Sequence, residues 1–447
     1  MKIIVGGWMH FHSSSPARAA RGLLLFGTVA AGVLTPLDPA KASGFYLQEQ
    51  SVRGWGRANS GEVADSGPAS LWWNPASIGW DGTSSGAFGA TAILPLGRLE
   101  DQGTLIDRPG VAPMSVGGIP LQKNPVQKGL LPSNALALRL TDRLALGLAV
   151  TSPFSFTTDY DPDGWQRYSA IRTRLITLDV QPSIAFAPTG WLSLGAGVNV
   201  EYSDAFLSNA IPNLAPGSPD GRIILDGAGW DLGWSAGVQL RPAPRVTLGV
   251  SYKSSVEHDL EGRLTVRGLT GPLAARNVES DTVARFSTPW QLIVGMRAGV
   301  TERTTLNLQA VRFGWSKFDR ITLSSGGEIP EGYRNTWSFA VGADHAVSDS
   351  LTLRAGVQFD QTPTRDSTRD PRVPDSNRVN YNAGASYRMS KRFTVDAAAG
   401  FTDLQDEPIS RDERFYAGTP AQTDVLTSGR VTNQRVFVAA FGGRLSF

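Results

Sequence analysis

The sequence predicts an all-β protein, a transmembrane antiparallel β-barrel of about 14 strands with an N-terminal hatch filling the lumen. Three observations lead to this fold class. No apolar run of about 18 residues follows the N-terminus, which excludes a helical membrane protein. Apolar and polar residues alternate with a period of two from residue 134 onward, and short connections alternate with long ones. The 447 residues include no cysteine, which excludes a disulfide framework and a thiolate metal site.

Residues 1–42 are predicted to be a signal peptide for export. Arg18 and Arg21 precede the apolar stretch 22–33, which is too short to span a bilayer as a helix. A small-x-small cleavage pattern ends at Ala42. The expected location is therefore the bacterial outer membrane, reached by export and cleavage of this signal.

Removal of the signal leaves a chain that is close to electrically neutral. It takes away four of the 42 basic residues and one of the 40 acidic residues. Nucleic-acid binding needs a concentrated basic surface, and a neutral chain offers no support for one. We therefore expect no nucleic-acid partner.

The alternation is clearest in residues 246–261. Successive side chains of a β-strand point to opposite faces, so this segment has one apolar and one polar face. We expect the apolar face to contact lipid and the polar face to line the lumen. The residues predicted to face lipid are Val246, Leu248, Val250, Tyr252, Val256 and Leu260. Those predicted to face the lumen are Thr247, Ser251, Lys253, Ser255, Glu257, Asp259 and Glu261.

The connections distinguish a membrane barrel from a soluble β-sandwich, which would also alternate. Outer-membrane barrels have short periplasmic turns and long external loops. Short turns are predicted at 141–143, 188–190, 242–245, 301–303, 348–350 and 390–392. Long loops are predicted at 95–133, 153–171, 204–226, 262–281, 361–377 and 402–431. The last strand carries Phe437, Phe441, Leu445 and Phe447 on one parity, as expected for a terminal strand that faces lipid. We assign residues 83–447 to the barrel.

Residues 305–318 do not fit a single parity. The even positions are apolar as far as Ala310 and then reach Arg312, while Phe313 and Trp315 make the odd positions apolar. Two interpretations remain open. Either a β-bulge exchanges the faces, or Phe313 and Trp315 point into the lumen while Arg312 lies near the headgroups.

Residues 43–82 precede the first strand and show no alternation. This glycine-rich stretch of mixed polarity is too long for a frayed terminus and poorly suited to a separate soluble domain. N-terminal segments of this kind can fill the lumen of an outer-membrane transporter. We therefore assign residues 43–82 to a hatch.

The hatch and several barrel segments resemble the FadL-type outer-membrane transporters of long-chain fatty acids and aromatic hydrocarbons. The similar pieces of the hatch are residues 44–49 (Gly-Phe-Tyr-Leu-Gln-Glu), residues 54–58 (Gly-Trp-Gly-Arg-Ala), the pair Gly61-Glu62 and the triplet Asn74-Pro75-Ala76. In the barrel they are residues 315–318, 351–356, 360–363 and 371–375. The resemblance covers the whole mature chain in the expected order.

This resemblance implies a fourteen-stranded barrel in which hydrophobic ligands pass from external loops to an internal site and leave sideways where the third strand kinks inward. The hatch residues carried over are Gly44, Phe45, Glu49, Asn74, Pro75 and Ala76. The lateral gate would be Ser152, Pro153 and Phe154, because a proline lacks the N–H needed to complete the ladder. A simpler interpretation also remains, in which the third strand ends before Pro153.

The ligand is expected to be a hydrophobic small molecule, a long-chain fatty acid or an aromatic hydrocarbon. The residues considered for binding it are Phe45, Phe313, Trp315, Lys317 and Arg320. The family's fatty-acid transporters are expected to hold a basic residue near the ligand carboxylate, and Lys317 and Arg320 are of the right type. The charge of the ligand stays open.

No enzymatic activity, cofactor or metal site is predicted. Residues 233–237 match the nucleophile-elbow pattern around Ser235, but that motif needs a strand-to-helix turn and here lies within an alternating strand. Residues 159–164 begin like a calcium loop, yet its twelfth position is Ala170, so we interpret them as an acidic external loop. An outer-membrane lipase or esterase and a general porin are the alternative functions. The expected partners are outer-membrane lipids, lipopolysaccharide and the barrel-insertion machinery, with the protein as a monomer.

Overall fold

A computed structural model describes residues 44–447, so the predicted signal peptide lies outside the described residues. Fourteen antiparallel strands form a closed barrel, which confirms the predicted fold class. The barrel closes between its first and last strands, where Ser85 pairs with Ser446. No helix in the described part of the chain is long and apolar enough to cross a membrane.

Each wall strand pairs with its neighbours in chain order. The wall strands are β1 (Ser85–Asp101), β2 (Gly129–Arg139), β3 (Leu144–Thr151), β4 (Arg172–Thr189), β5 (Leu192–Ile211), β6 (Gly221–Ala243), β7 (Val246–Lys253 and Glu257–Arg267), β8 (Val278–Ser287 and Gln291–Gly299), β9 (Thr304–Phe313), β10 (Thr336–Ala346), β11 (Leu351–Asp360), β12 (Arg378–Arg388), β13 (Phe393–Leu404) and β14 (Thr423–Ser446). Shorter strands lie between them at Leu105–Asp107, Met114–Ser115, Leu121–Lys123, Phe156–Asp159, Arg320–Leu323, Glu328–Pro330 and Glu407–Phe415. Within residues 44–447 the helices are one α-helix, α1 (Val52–Trp55), and the 3-10 helices Glu62–Ala64, Pro68–Ser70, Pro75–Ile78, Gly271–Arg276 and Trp315–Lys317.

The two ends of the barrel differ as the sequence predicts. All six predicted short turns lie at one end, which we call the turn end; β2, for example, stops at Arg139 and β3 starts at Leu144. The opposite loop end carries seven connections rather than the six predicted. The additional one, residues 314–335, joins β9 to β10. Some predicted loops are also shorter than expected, because β5 and β6 continue as a hairpin well into 204–226.

Strand β7 reverses its two faces halfway along its length. Near the turn end Val250 is exposed outside and Ser251 is buried inside, as predicted. From Val256 onward, however, the apolar side chains of Val256 and Leu260 are buried inside, so their assignment to the lipid face is wrong. The pairing with β6 explains the reversal. Between the pairs Ser235↔Lys253 and Ala228↔Glu261 the β7 side contains one residue more than the β6 side. One extra residue turns every later side chain to the opposite face.

Strand β8 is interrupted beside this point, at residues 288–290, and it reverses as well. Ile293 is buried on the turn side of the interruption, and Ala284 is buried on the loop side. Charged residues consequently lie on the outer surface of the loop-end parts of β7 and β8. Ion pairs join Arg263 to Glu279 at 2.7 Å and Arg285 to Asp259 at 3.0 Å, all four side chains being more than half exposed.

The irregular segment 305–318 contains no bulge within β9. This strand pairs in constant register with β8 and with β10 as far as Phe313. Phe313 and Trp315 are therefore buried inside, whereas Arg312 lies over the ring of Trp337 at 5.1 Å. Of the two interpretations left open, the inward-pointing aromatic pair is the correct one. In β14 the residues Phe437, Phe441 and Leu445 are exposed, as expected for an outward-facing terminal strand.

Candidate functional site

Residues 44–82, which we call the N-terminal segment, lie within the barrel and are held there by buried charges. Arg57 is fully buried and donates hydrogen bonds to Glu62 at 2.8 Å and to Asp65 at 2.6 Å. The barrel wall completes the network, because Arg297 forms ion pairs with Asp65 at 3.3 Å and with Asp344 at 3.1 Å. Unpaired charges are costly away from water, so this pairing fixes the segment against the wall.

The Asn74-Pro75-Ala76 triplet forms a second anchor. The Asn74 side-chain oxygen accepts a hydrogen bond from the Ala76 N–H at 2.9 Å and caps the 3-10 helix Pro75–Ile78. Its amide donates to the carbonyl oxygens of Val63 at 2.8 Å and Val238 at 3.3 Å, and so joins the segment to β6. The Ala76 carbonyl in turn accepts a hydrogen bond from the Ser193 hydroxyl at 2.7 Å.

Glycines on the wall make this close approach possible. A Cβ added at Gly237 would lie 1.9 Å from the Asn74 side-chain oxygen, and one at Gly195 would lie 2.3 Å from the Ala76 nitrogen. Gly237 ends the residues that match a nucleophile elbow, and in the structure those residues lie in the middle of β6. Ser235 faces inward there and is buried. Gly237, the last residue of this pattern, therefore leaves room for the N-terminal segment to approach the wall.

The third strand leaves the wall at the predicted gate. Strand β3 ends at Thr151, and the chain resumes pairing with β4 at Phe156. We call residues 152–155 the kink. Its backbone pairs with the N-terminal segment: the Leu47 N–H donates to the Pro153 carbonyl at 2.7 Å, and the Ser155 N–H donates to the Phe45 carbonyl at 3.1 Å.

The kink leaves a gap in the hydrogen-bonded wall. Strand β2 is paired with β1 along residues 129–137, but it is paired with β3 only from Asn134 onward. Residues 129–133 thus have no ladder partner on the β3 side. Pairing is restored further toward the loop end, where the Gln127 N–H donates to the Thr157 carbonyl at 3.0 Å. The gap is therefore bounded at both ends.

An apolar cavity lies inside the loop-end half, beside the kink. This cavity, which we call the chamber, has about 630 Å³ of space between its lining atoms, part of which is open to the surroundings. Its apolar lining comprises Phe45, Phe156, Leu175, Ala205, Leu207, Leu225, Leu260, Ala284, Phe286, Phe318, Ile321 and Val373. Its polar lining residues are Thr173, Arg174, Glu331 and Arg372. Leu260, Ala284 and Phe286 reach the chamber because β7 and β8 reverse their faces.

A larger opening lies among the loops and adjoins the chamber. This outer groove has an empty volume of about 2200 Å³. It shares Leu207, Leu225 and Arg372 with the chamber. The shared lining places the outer groove next to the chamber, and at the kink the rings of Phe45 and Phe154 have centroids 5.9 Å apart.

The structure brings only some of the predicted ligand-binding residues together. Phe45 lines the chamber, and Trp315 packs edge-on against it at a centroid distance of 5.0 Å. Phe313 contacts Tyr46 behind this cluster at 5.0 Å. Lys317 and Arg320 are exposed and are absent from the chamber lining.

Sequence reasoning missed the polar residues of the chamber. Arg320 is paired with Asp319 at 2.7 Å and with Glu328 at 2.9 Å on the outer surface. Glu331 and Arg372 reach the chamber instead, and both lie in loops whose course local patterns do not specify. Among residues 44–447 no cluster of three or more histidine, aspartate or glutamate side chains could hold a metal ion.

Comparisons with known proteins agree with this architecture. The family model described as "Outer membrane protein transport protein (OMPP1/FadL/TodX)" matches residues 37–439. Outer membrane protein P1 of Haemophilus influenzae is 24% identical over 91% of this chain and 95% of its own. The long-chain fatty acid transport protein of Escherichia coli O157:H7 is also 24% identical, over 86% of this chain and 94% of its own.

Two solved structures share the fold. The crystal structure of a Pseudomonas aeruginosa FadL homologue superposes with a TM-score of 0.79 at 24% identity, covering 90% of this chain and all of that one. The Pseudomonas putida toluene transporter TodX superposes with a TM-score of 0.63 at 18% identity, covering 88% of this chain and 97% of that one. From the match of the family model over nearly the whole barrel and hatch, we conclude that this chain belongs to the OMPP1/FadL/TodX family of outer-membrane transport proteins.

Proposed function

We propose that this protein takes up hydrophobic small molecules, long-chain fatty acids or aromatic hydrocarbons, and releases them sideways through the gap beside residues 152–154. One observation carries the proposal: an apolar chamber lies beside the kink, and in the described residues 44–447 the kink leaves residues 129–133 of β2 without a ladder partner on the β3 side. The relatives transport ligands of this type, as their names state. The chamber has the predominantly apolar lining with a few polar groups that is typical of a small-molecule site.

A sideways exit agrees with the chemistry of the lumen. On the turn side of the chamber the lumen contains buried polar groups, including Lys253, which donates to Gln181 at 2.8 Å, and Asp179, which accepts from Asn199 at 2.7 Å. An apolar ligand gains nothing from that route, whereas re-entry into lipid is favourable by about 25 cal/mol per Å² of apolar surface.

The N-terminal segment is proposed to control this exit. Phe45 and Leu47 bond to the kink through their backbones, and the Gln50 amide donates to the Ser152 carbonyl at 2.9 Å. These bonds involve the start of the segment, whereas the Arg57 and Asn74 anchors lie further along it. We expect residues 44–50 to move during release while the anchored remainder stays in the lumen.

The alternative functions are less well supported. A general porin needs an open aqueous lumen, and here the N-terminal segment occupies it. An enzyme would need a base beside Ser235, and no described residue is hydrogen-bonded to that hydroxyl. We further propose that the protein acts as a non-enzymatic monomer that contacts outer-membrane lipids and lipopolysaccharide after assembly by the barrel-insertion machinery.

The substitution Pro153→Val tests the lateral exit. It restores a backbone N–H and a strand-forming side chain at the kink, and so favours closure of the wall. We expect uptake of a labelled long-chain fatty acid and of an alkylbenzene to fall several-fold in cells that lack their own transporter. Pro182→Val is the matched control, because Pro182 lies in β4 at a position paired regularly with Leu148. Unchanged uptake of both compounds at equal surface expression would contradict the lateral exit.

A further inference from the structure

Three polar residues of the chamber, Thr173, Glu331 and Arg372, which we call its polar end, are linked through neighbouring contacts, whereas the fourth, Arg174, forms an ion pair with Asp204 at 2.8 Å. Thr158 pairs with Thr173 between the strands, and its hydroxyl donates to the Arg372 carbonyl at 3.0 Å. Glu331 follows Pro330, whose carbonyl accepts a hydrogen bond from Arg411 at 2.9 Å. Because Arg372 lines both the chamber and the outer groove, this polar end is where the two cavities meet.

The arginines at this end already have partners. Arg372 donates to the Asp370 carboxylate at 2.5 Å, and Arg411 forms an ion pair with the same carboxylate at 2.9 Å. Arg411 also lies 3.7 Å from Glu413. A ligand carboxylate would therefore meet cations that are largely neutralised, and it would lie close to the further carboxyl group of Glu331.

Two hydrogen-bonding groups of the chamber have no partner. Glu331 is only 5% exposed, and no described residue forms a hydrogen bond or an ion pair with its side chain. Thr173 is 4% exposed, and its hydroxyl also has no hydrogen bond in the described part of the chain. Buried polar groups are normally hydrogen-bonded, so two unpaired ones on the wall of a ligand cavity indicate a ligand that pairs with them.

We propose that the polar end of the chamber binds the hydroxyl group of a neutral hydrophobic ligand, such as an alkylphenol or a long-chain alcohol. The ligand hydroxyl hydrogen-bonds with the carboxyl of Glu331, and Thr173 provides a second polar contact at the same end. The apolar part of the ligand lies toward Phe45, Leu260 and Phe318. This assignment rests on the proposed function, because it specifies the ligand class of the same chamber.

The protonation equilibrium of the Glu331 carboxyl is consistent with a ligand that carries a hydroxyl group. Burial raises the pKa of Glu331 to about 7, despite the opposing effect of Arg411 and Arg372. Near neutral pH this carboxyl can therefore donate to a hydroxyl oxygen or accept from a hydroxyl hydrogen. A hydroxyl group can pair with either form, whereas a carboxylate pairs only with the protonated one.

The test compares three ligands of one shape: 4-butylphenol, butylbenzene and 4-butylbenzoate. Their dissociation constants are measured by calorimetry on the full-length protein purified in detergent. We expect 4-butylphenol to bind about tenfold more tightly than butylbenzene, the usual value of one hydrogen bond to a buried group. Glu331→Leu should remove this preference without weakening butylbenzene. Glu279→Gln is the matched control, because Glu279 is an exposed carboxylate that pairs with Arg263 and lines neither the chamber nor the outer groove.

Thr173→Val is a second variant, chosen because it keeps the side-chain shape and removes a hydroxyl that has no partner. It should lower the affinity for 4-butylphenol several-fold and leave that for butylbenzene unchanged. An undiminished preference for the phenol in folded Glu331→Leu and Thr173→Val would overturn the proposal. Tightest binding of 4-butylbenzoate to the wild type would overturn it in favour of an anion site. If the wild type bound none of the three compounds, the proposed uptake function itself would fail.

Discussion

The two halves of strand β7 use the same alternating sequence in opposite ways. In the turn-end half, apolar residues such as Val250 face outward and polar residues such as Lys253 face the lumen. In the loop-end half, Leu260 faces inward while Asp259 and Glu261 face outward. One extra residue near 254–256 produces the change. The comparison teaches that a single strand can present polar residues to the lumen and then apolar residues to the chamber without any change in its sequence pattern.

The largest expected effect compares a buried arginine with an exposed one. Arg57→Leu in the turn-end half leaves the buried carboxylate of Glu62 without its ion-pair partner, and should lower the free energy of unfolding by about 3–5 kcal/mol. Arg263→Leu in the loop-end half removes one partner of an exposed ion pair and should change the free energy of unfolding little. Urea unfolding of both variants refolded in lipid vesicles measures the difference. Equal stabilities would show that the buried network does not hold the N-terminal segment in place.

The second prediction tests where the lipid-facing surface ends on β7. Val250→Arg places a charge in the membrane on the turn side of the reversal and should cost about 2–4 kcal/mol of folding in lipid. Glu257→Arg, seven residues along the same strand, places the charge on the exposed surface beyond the reversal and should be tolerated. Insertion yield into lipid vesicles measures both effects. Equal impairment by the two variants would mean that lipid contacts the loop-end half as well.

The smallest expected effect is a pH dependence confined to the loop-end half. Burial raises the pKa of Glu331 to about 7, with Arg411, Asp370, Arg372 and the nearby Glu413 as the charged neighbours. A fatty-acid carboxylate is repelled by ionised Glu331, so its affinity should fall several-fold as pH rises from about 6 to about 8. Butylbenzene has no charge and should show no such change.

Glu331→Gln is the control for this prediction, because the amide cannot ionise. Fatty-acid affinity should become independent of pH in this variant. Dissociation constants measured across the range in one buffer series test both statements. A wild-type affinity that rises with pH would contradict the assigned direction of the Glu331 effect.

The sequence predicted the fold more completely than the site. Alternation and turn spacing are local properties, and they correctly specified the barrel and its six short turns. The reversal in β7 was missed because the parity of its apolar residues continues unbroken from Val246 to Leu260. Only the pairing with β6 reveals the extra residue.

The site depends on contacts between distant loops, which local patterns cannot predict. Glu331 and Arg372 are brought to one chamber from two different connections, and neither lies in a periodic segment. Lys317 and Arg320 had the right charge for a carboxylate, but the loop directs them to the outer surface. By contrast, the aromatic residues Phe45 and Trp315 were identified because the family resemblance covers their neighbourhood.

The length of the β5–β6 hairpin has a consequence for the route of the ligand. Strand β6 contains 23 residues and extends about 75 Å, whereas a tilted strand needs only about 9–11 residues to cross a bilayer. The loop-end part of the hairpin is therefore longer than a membrane crossing requires. The kink, by contrast, begins only eight residues from the turn end of β3. Under the proposed lateral exit, a ligand would enter among the loops beyond the membrane surface and leave at the depth of the hydrocarbon layer.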